Sequence, residues 1–124
     1  MNASLSRLPF LALFLAVAVA CASAEERRAA TGPVSVQVTN HNYLDVNIYT
    51  VAGSTTDRLG TVTTNSEVTF ELPRYLPLSG GVRFLVDPIG SSDAYLSDDV
   101  LVSPGDVIQL VVQSRLGLSS AVVY

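Results

Sequence analysis

The chain has 124 residues, 48% of them hydrophobic and 15% charged; it is too apolar for disorder over most of its length, and its size sets one domain as the default. The formal charge is −4, every positive side chain is Arg, and Trp is absent. An acidic domain whose arginines (Arg58, Arg74, Arg83, Arg115) are scattered offers no stripe to follow a phosphate backbone, which argues against nucleic acid as a partner.

The first element is a leader. Arg7 and the free amine form a thin positive region, and Leu8 to Ala20 is apolar, broken only by Pro9. That run is about 13 residues, short of the roughly 20 that a spanning helix needs, so it reads as the hydrophobic region of a signal peptide. Two cleavage points compete. Ala18-Val19-Ala20-Cys21 resembles the bacterial lipobox, although Ala18 stands where that motif prefers Leu; cleavage between Ala20 and Cys21 would leave an acylated Cys21 as the first mature residue. Ala22-Ser23-Ala24 resembles an ordinary signal-peptidase site, with Glu25 as the new terminus. Cys21 is the only cysteine. A lone thiol in an exported chain closes no internal disulfide, whereas thioether attachment of lipid requires one, and this favours lipidation. Acyl chains contribute roughly 0.8 kcal/mol per buried methylene, so several together anchor the chain to the membrane. The expected organisation is a signal peptide over residues 1–20 (to 24 for ordinary secretion), a tether over 21–33 and a domain over 34–124. The tether "EERRAATGP" is charged, then small, then turn-forming.

From Val34 the hydrophobic period is two. Val34, Val36 and Val38 alternate with polar residues, as do Leu44, Val46 and Ile48, then Val68, Phe70 and Leu72, then Val82, Phe84 and Val86, then Ile108, Leu110 and Val112. Such alternation marks half-buried strands. Residues 58–63, 96–102 and 119–124 are further strands with less regular alternation. Turn clusters separate the runs, and Pro104-Gly105 suits the two central positions of a type II turn, proline presetting the first φ and glycine accepting a positive second one. Strands at about ten-residue spacing, with no helical period among them, predict an all-β fold: an antiparallel β-sandwich, Ig-like or related, of seven to eight strands. Tyr49, Val51, Leu85, Leu101, Val107 and Val111 place apolar groups on second strand faces, either lining central strands or leaving a face or edge for a partner.

No motif names a reaction. His41, the only histidine, sits in an Asn-His-Asn turn, and no Gly-x-Ser-x-Gly elbow accompanies it. One His and one Cys make no zinc set, and no cofactor is expected. Asp87 and Asp93 bracket "DPIGSSD" and Asp98-Asp99 follow; these four are the candidates for calcium, which takes carboxylate and carbonyl oxygens, although ordinary turn and solvent roles explain them as well.

The segments "NHNYLDVNIYTVAGSTTDRLGTVT", "VDPIGSS" and "VSPGDVIQLVV" are similar to small uncharacterised bacterial exported proteins with a lipoprotein-like leader, over about residues 36–112. The resemblance implies no catalytic residue. Under it, Cys21 is the lipidated residue. Ala22 stands where Asp would signal inner-membrane retention, so outer-membrane or periplasmic placement at the cell envelope is implied, with soluble secretion as the alternative. The expectation is a non-enzymatic envelope module acting through contacts with a protein partner. Two rivals are a carbohydrate or cell-wall ligand-binding module, which needs Tyr43, Tyr75 and Tyr95 gathered with carboxylates, and a small hydrolase, which needs His41 beside a Ser and an Asp.

Overall fold

The computed structural model describes residues 32–124 and is a two-layer β-sandwich of eight strands. In chain order they are β1 (Ser35–Asn40), β2 (Val46–Ala52), β3 (Thr55–Val62), β4 (Glu67–Glu71), β5 (Arg83–Pro88), β6 (Tyr95–Leu96), β7 (Val107–Val112) and β8 (Ser120–Val123). One sheet has the order β4-β1-β7-β8 and the other β3-β2-β5-β6. All neighbours are antiparallel except β1 and β7, which pair in parallel from Ser35↔Val107 to Asn40↔Val112. The fold class expected from the alternation is therefore present, with one sheet mixed rather than purely antiparallel.

The period of two sorts each strand into an inner and an outer row. Val36, Val38, Ile108, Leu110 and Val112 of the first sheet are fully buried, as are Val46, Ile48, Val62, Phe84 and Val86 of the second. They form one core, and burying each such side chain stabilises the fold by about 1.5–3 kcal/mol. Among the described residues, no helix is long and apolar enough to cross a membrane.

Turn chemistry sets where the strands stop. Asp106 N–H donates to Ser103 O at 3.1 Å across Pro104-Gly105, and Gly105 has φ 85°, as a type II turn requires. Gly60 is needed for a different reason. It lies at the β-bulge where β3 adds Leu59 opposite β2, and a Cβ there would come within 2.7 Å of Phe70 Cε1 on β4. The missing side chain lets the edge strands of the two sheets close over the core.

Two expected strands are shorter than their apolar patterns. Leu44 falls in the loop before β2, because its N–H donates to Asn42 Oδ1 and its carbonyl accepts from Asn40 Nδ2, both at 3.0 Å. Within 96–102, only Leu96 belongs to a strand, followed by an isolated Val82↔Val100 bridge. The cause is Ser97. Its backbone N–H donates to Phe84 O, while its hydroxyl oxygen takes the Phe84 N–H at 2.8 Å in place of a strand carbonyl. A side-chain acceptor thus ends the ladder.

Candidate functional site

The edges of the two sheets differ in how they are protected. An edge strand exposes unpaired N–H and C=O groups that can template pairing with another chain, and charge, bulges and shortness blunt it. β4 carries exposed Glu67 and Glu71. β3 carries Asp57, Arg58 and the bulge at Leu59. β6 has two residues and is followed at once by Asp98 and Asp99. β8, four residues long, carries no charged side chain, proline or bulge, and no charged side chain occurs from Leu116 to Tyr124.

The geometry of β8 follows from its register on β7. Tyr124 N–H donates to Val107 O at 3.2 Å, and the pairing continues as Gln109↔Val122 and Val111↔Ser120. Hydrogen-bonded and non-hydrogen-bonded pairs alternate in an antiparallel ladder. The backbone groups of Ser120, Val122 and Tyr124 therefore face β7, and those of Ala121 and Val123 face outward from the sheet edge. The side chains alternate the other way: Ala121 and Val123 pack against the core, while Val122 is 57% exposed and Tyr124 70% exposed on the outer face. Tyr124 Oη donates to Gln37 Oε1 of β1 at 2.7 Å, which draws the ring across the sheet and away from the edge.

A polar clasp holds the end of the sandwich from which β8 begins. Asn40 and Asn42 are buried. Asn40 Oδ1 accepts from Asn42 N–H at 2.9 Å, and its amide donates to Leu44 O and to Val62 O at 3.1 Å. Asn42 Nδ2 donates to Gln113 O at 3.1 Å, and Ser114 Oγ donates to His41 O at 3.0 Å. Buried amides that satisfy so many backbone groups rigidify a loop. On the β8 side, the hydroxyl of buried Ser119 accepts from Gln113 N–H at 3.0 Å. Above this clasp lies a groove of about 420 Å³ whose walls include Tyr43, Asp93 and Arg115.

The sequence candidates distribute as follows. Cys21 and the cleavage points Ala20–Cys21 and Ala24–Glu25 lie outside the described residues. Asp87 pairs with Asn47 on the ladder, Asp93 lines the groove, and Asp99 meets Arg83 at 3.6 Å. Among the described residues, no three His, Cys, Asp or Glu side chains gather in metal-holding range, so the calcium loop is not assembled from Asp87, Asp93, Asp98 and Asp99. His41 is exposed, and among the described residues its imidazole makes no hydrogen bond to a Ser or Asp; its backbone N–H donates to Val112 O and its carbonyl accepts from Ser114 Oγ. The three tyrosines do not gather. Tyr43 lines the groove, Tyr75 bonds Asp57 of β3 at 2.8 Å, and Tyr95 packs against the core. That hydrogen bond to Asp57 is the main cause raising the Tyr75 pKa above its ordinary value; Tyr95 is raised by burial and then by the charge of Asp98. Sequence reasoning did not single out Ala121 and Val123. The signal available was the uncharged run "LGLSSAVVY" in a chain whose other edge strands carry or adjoin charge.

No family model and no curated protein matches the chain. A solved structure, an NMR structure of a protein from Eubacterium rectale, is similar at TM-score 0.45 and 9% identity, over 74% of this chain and 86% of that one.

Proposed function

We propose that this protein is a non-enzymatic interaction module of the bacterial cell envelope, exported and held to the membrane by lipid on Cys21, which takes an extended segment of protein as an added strand on β8. In β-augmentation, backbone hydrogen bonds supply affinity and alternate side chains supply selectivity. The observation that carries the reading is the asymmetry of the edges: β3, β4 and β6 are charged, bulged or very short, while β8 presents bare backbone beside the exposed Val122. The leader pattern and the lone Cys21 support the anchor.

The test is photo-crosslinking in the host, with a benzophenone amino acid placed at Val122 or, as a control, at Thr69 of the charged β4 edge. The reading expects a discrete adduct from position 122, none from Thr69, and loss of the adduct when Ala121→Pro removes an outward N–H. Proline is tolerated on an edge where its missing N–H faced solvent, and a thermal melt of the variant checks that its ring is accepted where Ala121 meets the core. No adduct at 122, or an equal one at Thr69, would refute the reading.

A further inference from the structure

We infer that the strand added to β8 is β8 of a second copy, joined antiparallel about a two-fold axis at Val122, so that two four-stranded sheets become one continuous sheet. The inference rests on the edge reading above and names its occupant.

Self-pairing has one register that closes without remainder. The outward backbone groups are those of Ala121 and Val123. Setting Ala121 opposite the partner's Val123, and Val123 opposite the partner's Ala121, makes two hydrogen-bonded pairs related by the two-fold. Each pair exchanges both N–H···O bonds, so every outward donor and acceptor of the strand is used. The same register sets Val122 against the partner's Val122 as a non-hydrogen-bonded pair, the closer of the two pair types. Exposed Val122 thereby gains an apolar cross-strand neighbour. Tyr124 comes opposite the partner's Ser120, which leaves room for the ring already drawn toward Gln37.

Charge points to the same occupant. Apposing a strand with its own copy brings like charges together wherever the strand is charged. β4 would oppose carboxylates and β3 its own mix of Asp57 and Arg58, whereas β8 carries no charge. In a chain of net charge −4, β8 can meet its copy without repulsion between the paired side chains, and the other uncharged edge, β6, has only two residues to pair. A contact that is the same patch on both copies closes as a dimer and does not propagate through that edge.

The experiment is disulfide trapping in the full chain exported by its host. In the inferred register, the two Val122 Cα atoms lie about 4.5 Å apart, within disulfide reach. Val122→Cys should therefore form a covalent dimer under mild oxidation. Ser120→Cys alone, which sits four residues out of register with its own copy, and Thr69→Cys on β4 should stay monomeric, while Ser120→Cys mixed with Tyr124→Cys should cross-link. Adding Ala121→Pro to Val122→Cys should abolish the dimer. In the chain with native Ser120 and Thr69, Val122→Glu should remove any self-association seen by sedimentation while the melting temperature holds. The mass of the benzophenone adduct at 122 separates the two claims. Twice the chain mass supports self-pairing. A heterologous adduct without Val122→Cys dimers overturns self-pairing and keeps the edge reading, and the absence of both overturns both.

Discussion

At the scale of single residues, the fold depends on a few side chains that replace backbone partners. Asn40 is fully buried and makes three hydrogen bonds. In Asn40→Ala, Leu44 O, Val62 O and Asn42 N–H lose their side-chain partner, at a cost of about 3 kcal/mol for buried groups; a melting temperature roughly 15 °C lower is the expected result in a thermal melt. Gly60→Ala forces a Cβ against the Phe70 ring and should cost about 1–3 kcal/mol as overpacking. Phe70→Leu in the same chain should return part of that loss, which a double-mutant cycle in urea would measure. Gly105→Ala places a side chain at φ 85° and should destabilise by about 1 kcal/mol by the same assay. Of these positions, the turn glycine was legible in "SPGD", because proline followed by glycine dictates a local conformation. The roles of Asn40 and Gly60 were not, since each depends on a partner on another strand that only the fold brings near, Val62 for one and Phe70 for the other.

At the scale of elements, the alternation located the inner rows of β1, β2, β4, β5 and β7, because a period of two has one physical meaning when one face is dry. It overran where a side chain intercepted the ladder, at Leu44 and after Leu96. It was silent on neighbours: nothing in "VSVQV" announces that β1 sits between β4 and β7, in parallel with the latter. The candidate edge was half legible, as an uncharged run whose position at the sheet margin depends on that order. The tyrosines offer a pH test. Tyr95 of β6 has its pKa raised by burial and by Asp98, and exposed Tyr75 beside β3 has its own raised chiefly by the hydrogen bond to Asp57 and, less, by the Asp57 charge. The folded chain therefore holds these protons more tightly than the unfolded one. Their contribution is fully present below the ordinary tyrosine value of about 10 and is lost as pH rises through the raised folded values. Urea midpoints taken from neutral to alkaline pH should fall, and Tyr95→Phe should flatten the fall.

At the scale of the whole molecule, the envelope reading makes a direct prediction: intact mass of the protein purified from host membranes should correspond to a chain starting at acylated Cys21. A mass for an unmodified chain starting at Glu25 would assign it to soluble secretion and remove the anchor, though not the sandwich. The parallel β1–β7 pair has a kinetic consequence. The strand at the centre of one sheet, Ser35–Asn40, acquires its neighbour on that side only when Val107–Val112 is available. Contacts so distant in sequence close slowly, and domains dominated by them fold in milliseconds to seconds rather than microseconds. A chain emerging amino end first, from a ribosome or a translocation pore, cannot complete this sheet until Val107–Val112 has come through, so a strand made later determines when Ser35–Asn40 can settle.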